Sequence, residues 1–155
     1  MSDFGRPKGA SSALSYRDPK AACRFLEAAF GFELVFAVLD DADNLLHSEL
    51  RFGASIVMVG GEWDDHHRSP ASLGGVNTQS VHLQLAQGED IDAHCARARA
   101  AGAEILAAPE DQFYGDRVYR ARDPEGHVWT VGVTVRDMTA ADWDAAGAVR
   151  TVTCL

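Results

Sequence analysis

The chain has 155 residues, 46% apolar and 24% charged, the balance of an ordinary globular protein in water. Fourteen Lys and Arg stand against 23 Asp and Glu, a formal net charge of −9 that repels phosphate backbones and anionic lipid, so nucleic acid and membrane surfaces are excluded as partners. No apolar run reaches the length of a membrane span, "MSDFGRPKGASS" lacks the apolar centre of a leader, and three cysteines without a CxxC spacing point to a reduced, cytoplasmic protein.

In chain order, a short strand is expected from Ala13 to Tyr16. Asp18 then suits a helix N-cap, with Pro19 in the first turn, where its missing N–H costs nothing. Ala22, Phe25, Leu26, Ala29 and Phe30 recur at helical spacing and mark a buried face, and Gly31 supplies the left-handed residue that stops the helix. Strands are expected from Glu33 to Leu39, Leu45 to Phe52 and Ser55 to Val59, with "DDADN" and Gly53 at the turns. The segment 60–79, rich in Gly, Pro, Ser and charge, reads as a linker or mobile loop. The order then returns: a strand from Val81 to Ala86, Asp90 as a cap, a helix from Ile91 to Ala101 closed by Gly102, and a strand from Glu104 to Ala108.

"YGDRVYRARDPEGHVWTVG", residues 114–132, reads as a hairpin. Asp123, Pro124 and Gly126 meet the preferences of a type I turn, which makes Asp123 and Gly126 structural turn residues. The two halves share their landmarks: Asp18 and Asp90 are 72 residues apart, Gly31 and Gly102 are 71 apart, and Gly53 and Gly126 are 73 apart. A β-α-β-β-β unit is therefore used twice in an α+β fold, and neither copy covers its own sheet alone. Module one spans about 11–59, the linker 60–79, module two about 80–135 and the tail 136–155, all in one domain. The tail carries a short helix capped by Thr139, with Asp142 in its first turn and Trp143 as an apolar anchor that covers the core or meets a second subunit.

Alternation in the last strand places Trp129, Val131 and Val133 toward the helices and Val128, Thr130 and Gly132 away from them. Val81, Leu83 and Leu85 likewise face the core, opposite His82 and Gln84. His82, Gln84 and Thr130 thus give the second face a polar character suited to a small ligand.

These segments, with "SYRDPKAACRFLEAAFGFE" and "EDIDAHCARARAAGAE", resemble the vicinal oxygen chelate superfamily of glyoxalases, bleomycin-resistance proteins and extradiol dioxygenases, and especially its branch with YGDR followed by DPxGxxW. The resemblance runs from about Ser11 to Val135. It implies paired βαβββ modules in a cupped, eight-stranded mixed sheet, commonly in a homodimer. In the enzymes of the superfamily a divalent metal in the cup acts as a Lewis acid on adjacent substrate oxygens, held from the first and last strands of each module. By spacing, those positions fall on Ser11, on Val57 or Met58, on His82 and on Thr130, where the enzymes carry Glu. Only His82 is a ligand residue, so no metal cofactor is expected, and the resemblance implies a protein that binds a small aromatic or amphipathic molecule.

His47, Glu49 and Arg51 alternate on one strand face, and His47 and Glu49 with His82 compose a two-His, one-carboxylate set if the strands meet. His82 or Glu49 as general base gives the alternative reading, a lyase, isomerase or dioxygenase. Trp63 on the linker, with Phe113 and Tyr114 before the hairpin, offers aromatic walls for a flat ligand, or else packs locally. "WDDHHR" reads as a solvated loop, and Arg117, Arg120 and Arg122 with Asp116 as surface ion pairs.

Overall fold

The computed structural model describes residues 9–155; residues 1–8, most of the segment read above for a leader, lie outside the described residues. The elements run β1 (Ser12–Tyr16), α1 (Pro19–Phe30), β2 (Glu33–Leu39), β3 (Leu45–Phe52), β4 (Ser55–Gly61), β5 (Val81–Gln84), α2 (Ile91–Ala100), β6 (Glu104–Asp111), β7 (Asp116–Arg122), β8 (Val128–Thr134) and α3 (Ala140–Gly147), with a 3₁₀ turn at Pro70–Leu73. The expected βαβββ unit occurs twice. Its eight strands form two four-stranded mixed sheets, ordered β1-β4-β3-β2 and β5-β8-β7-β6, with β1–β4 and β5–β8 parallel and the other pairs antiparallel.

Local chemistry sets the helices as expected. The Asp18 carboxylate accepts from Ala21 N at 2.9 Å, and that of Asp90 from Ala93 N at 2.9 Å. Gly31, at φ +81°, turns the chain out of α1 while its N–H bonds to Glu27 O at 3.1 Å. β5 is shorter than expected, ending at Gln84, although Leu85 N still reaches Gly132 O at 2.8 Å. β6 is longer, continuing through Pro109 to Asp111, because a register shift between Ala107 and Glu110 lets the strand bend past the proline.

The strands of the two sheets share no ladder; α1 and α2 pack together and join the modules. One buried cluster runs through both halves. Trp129 is fully buried, with Phe30 at 5.2 Å and Phe32 at 5.8 Å between ring centroids, so module two inserts its tryptophan beside the end of α1. Its Nε1–H donates to Asp123 Oδ2 at 3.1 Å, and Tyr16 OH donates to the same oxygen at 2.7 Å. The other oxygen, Oδ1, accepts from Glu125 N and His127 N, each at 3.0 Å. Asp123 is thus a turn residue and also a buried bolt between modules. Burial, and then its contact with the Asp123 carboxylate, pushes the Tyr16 phenol well above its ordinary pKa.

A second joint lies at the end of α1. His94, on α2, donates from Nε2 to Phe30 O at 3.2 Å and accepts at Nδ1 from Tyr119 OH at 2.8 Å, while Arg97 Nε donates to Ala29 O at 3.3 Å. These donors satisfy carbonyls that the helix end leaves open. Within the linker 60–79, Ser69 N donates to Glu62 at 2.7 Å, Ser69 Oγ to Glu125 at 2.6 Å, and Asn77 Nδ2 to Gly126 O at 2.7 Å. One expectation needs correction: α3 does not cover the core, because none of its residues is buried. It rests on the loop before β7 instead: Trp143 Nε1 donates to Tyr114 O at 2.9 Å, and the Phe113 ring fills the space where a Cβ on Gly147 would stand.

Candidate functional site

Period-two alternation on β8 sends Trp129, Val131 and Val133 into the core and leaves Thr130 on the opposite face. Sheet register then fixes its neighbours. Thr130 pairs with His82 on β5 and with Arg120 on β7, so imidazole, hydroxyl and guanidinium stand in one row across three strands. The adjacent row is Gln84, Gly132 and Val118. An open pocket of about 400 Å³ lies over this sheet, lined by Thr130, Arg120, Val118, Glu110, Gln112 and Tyr114.

The His82 ring is oriented by its neighbour. Its Nε2 lies 3.0 Å from Gln84 Oε1, and an amide oxygen only accepts, so Nε2–H is the donor in this contact. Gln84 Nε2 in turn donates to Thr134 Oγ1 at 3.4 Å. Gly132 makes room for the arrangement: a Cβ there would stand 3.3 Å from His82 Cε1 and 3.4 Å from Gln84 Oε1.

The corresponding face of module one carries the row Ala13, Met58, Glu49 and Phe36 on β1, β4, β3 and β2. His47, Glu49 and Arg51 alternate with the buried Ser48 and Leu50. Glu49 is itself buried, with His47 Nε2 at 3.6 Å from its Oε1 and Phe36 stacked at a tilt on His47. Arg51 is exposed at the end of this row. His82 belongs to the other sheet and does not join His47 and Glu49; among the described residues no group of three or more His, Cys, Asp or Glu is placed to hold a metal ion.

The register also settles the four positions that the resemblance singles out. Val57 points into the core, so Met58 is the counterpart of Thr130. Ala13 pairs with Met58 as His82 pairs with Thr130, which replaces Ser11, a residue that precedes β1. Spacing misplaced Ser11 because two residues separate β1 from α1 whereas six separate β5 from α2. The four side chains are a methyl, a thioether, an imidazole already bonded through Nε2, and a hydroxyl. Such a set does not suit a hard or borderline divalent cation.

The aromatic candidates fall apart in space. Trp63 is 70% exposed and stacks on His67 of its own loop at 4.0 Å. His67 Nδ1 lies 2.8 Å from Asp64, and that hydrogen bond lowers the Asp64 pKa. Phe113 supports α3, and Tyr114 alone of the three lines the pocket. Arg117 pairs with Asp92 and Asp111 at 2.9 and 2.8 Å, and Arg122 with Glu104 at 2.9 Å, in place of the expected Asp116. Arg120 makes no ion pair among the described residues and is the pocket residue that sequence reasoning missed. The available signal was its parity, since "VYRAR" alternates Tyr119 and Ala121 inward against Arg120 outward.

Comparison with known proteins agrees with this geometry. The family profile described as Glyoxalase/Bleomycin resistance protein/Dioxygenase superfamily matches residues 10–131. An uncharacterized protein of Mycobacterium bovis is 33% identical over 133 residues, 83% of this chain and 85% of its own. The crystal structure of TioX from Micromonospora sp. ML1 is similar at 33% identity and a TM-score of 0.62, covering 85% of this chain and 100% of that one. The fosfomycin resistance protein FosX of Listeria monocytogenes has the same fold, at 17% identity and a TM-score of 0.62, over 88% of this chain and 98% of its own. Two βαβββ units with matching registers, and a profile that spans both, place this chain in the glyoxalase/bleomycin resistance protein/dioxygenase superfamily.

Proposed function

We propose that this protein binds a small amphipathic or aromatic molecule on the outer face of its sheets, without a divalent metal, and so acts by holding its ligand. The observation that carries this reading is the row at which the superfamily holds metal: Ala13 and Met58 in one module, His82 and Thr130 in the other. A scaffold of this kind hosts many chemistries, and the side chains on it decide which. Here they favour hydrogen bonding and apolar contact over cation chelation.

A second copy of the chain completes the cup in this proposal. Among the described residues β1 and β5 each lie at the end of their sheet and pair on one side only. Docking β5 of one copy against β1 of another encloses the pocket between a polar and an apolar row. Light scattering is expected to give twice the chain mass of 16.7 kDa, and a monomer at micromolar concentration counts against it.

Calorimetry with Ni²⁺, Co²⁺, Mn²⁺ and Zn²⁺, beside elemental analysis of protein as purified, tests the metal-independent reading. Tight stoichiometric uptake abolished by His82→Ala overturns it. The buried Glu49 beside His47 favours one second reading, a general base acting on a carbon acid or hydroxyl. Turnover of 2-oxo acids or catechols lost in Glu49→Gln supports it; no turnover across both classes removes it.

A further inference from the structure

We propose that Arg120 is an anion anchor, and that the ligand is an amphipath bearing a single carboxylate. This rests on the reading of the outer face as a ligand site and names the chemistry of that ligand. β7 carries three arginines, and two are neutralised: Arg117 by Asp92 and Asp111, and Arg122 by Glu104. Arg120 has neither an ion pair nor a side-chain hydrogen bond among the described residues, in a chain of formal net charge −9. Acidic side chains are plentiful, yet among the described residues none forms an ion pair with it.

The surroundings explain what such a group can receive. Its register partner on β6 is Ala107, too short to cover a guanidinium, and the next residue along β7 on that face is Val118. Thr130 stands one strand away and His82 two strands away in the same row. At about 4.8 Å between strands the row spans roughly 10 Å, the length of a small molecule. A carboxylate meets the guanidinium fork with two parallel hydrogen bonds, while the Thr130 hydroxyl and the His82 ring receive polar groups further along. Val118 and Gly132 leave a flat apolar floor between them.

Glu110 limits the charge. It pairs with Val118 in the ladder and lines the same pocket, so it ends the adjacent row on the Arg120 side of the site. An anchored group with two or more negative charges meets repulsion there; a single carboxylate meets less.

The test uses the full chain and two probes of one shape, naphthalene-2-carboxylate and naphthalene-2-carboxamide, by calorimetry and amide chemical-shift mapping. Wild type is expected to bind the carboxylate about tenfold or more tightly than the carboxamide, the ratio that one charge-assisted hydrogen bond gives. Arg120→Gln is expected to remove that preference, lowering carboxylate affinity about tenfold or more and carboxamide affinity by less, and Arg120→Lys keeps part of it. Shifts in the carboxylate complex fall on Thr130 and His82. Equal affinity for both probes in wild type, or a preference that survives Arg120→Gln, overturns the anchor while the receptor reading stands. Failure of both probes to bind at millimolar concentration overturns both. Arg120 is exposed, so the variants are expected to keep the wild-type melting temperature; should Arg120→Gln unfold, Arg120→Met, equally uncharged, is expected to lose the preference, and its survival there overturns the anchor.

Discussion

Replacing Asp123 with alanine is expected to remove a large part of the stability of this fold. The carboxylate is buried and accepts four hydrogen bonds, two from Tyr16 OH and Trp129 Nε1 and two from the backbone of Glu125 and His127. Tyr16 and Trp129 are themselves buried, so alanine leaves both donors without a partner and without water. Each such orphan costs about 1–3 kcal/mol, and the two turn amides, nearer solvent, add about 1 kcal/mol between them. Relief from burying a carboxylate offsets part of that cost. The net expectation is about 3–5 kcal/mol, against a total of about 5–15 kcal/mol for a domain. Urea unfolding with linear extrapolation measures it, and Tyr16→Phe is expected to cost about 1–3 kcal/mol by leaving the carboxylate short of one donor. Because the two residues touch, their double variant is non-additive by about 0.5–3 kcal/mol. A loss below about 1 kcal/mol for Asp123→Ala, or additivity in the cycle, refutes the idea that this carboxylate bolts module two to module one.

Three further outcomes follow from the geometry. Gly132→Ala puts a methyl 3.3 Å from His82 Cε1, so the ring and Gln84 must move; a shift of the His82 ring signals is expected, and an unchanged NMR spectrum contradicts it. Burial lowers the His94 pKa, with Arg97 nearby adding to the effect and the Phe30 carbonyl and Glu89 opposing it. The unfolded chain therefore binds more protons below about pH 6.5; stability is complete above that value and falls as pH drops, by up to about 1.4 kcal/mol per unit, a slope that His94→Gln should flatten in urea titrations. Thr130→Glu places a carboxylate beside His82 in register and is expected to create measurable Zn²⁺ uptake by calorimetry, whereas uptake equal to that of wild type means His82 is not available to a cation.

The repeat and its elements were legible because they depend on local signals. Asp18, Asp90, Gly31 and Gly126 act within a few residues of themselves, and their spacing carried the duplicated unit directly. Faces were legible for the same reason: alternation alone separates Trp129 from Thr130. Register was not. Whether Ser11 or Ala13 matches His82 depends on how many residues the chain spends between strand and helix, and that loop differs in length between the modules. Long-range pairing was also silent. Nothing near Asp123 announces Tyr16, 107 residues away, and nothing near His94 announces Phe30 O. Arg120 was misread because three arginines on one strand look alike until their partners are placed; Asp92 lies on α2 and Glu104 on β6, and both leave Arg120 aside.

The division between the two faces of β8 explains how the fold can persist while its chemistry changes. Trp129, Val131 and Val133 carry the packing, and burial of each large apolar side chain contributes about 1.5–3 kcal/mol. Thr130 and Gly132 alternate with them on the other face. Thr130 contacts no core residue in the ladder, so exchanging it alters the outer row without disturbing the inner one, and the same holds for Met58 against Val57 and Val59. Metal donors on such a scaffold therefore cost little to replace, whereas the Asp123 bolt and the Trp129 insertion do not tolerate exchange. The chain retains the second set in full and carries Ala13, Met58 and Thr130 on the outer row beside His82.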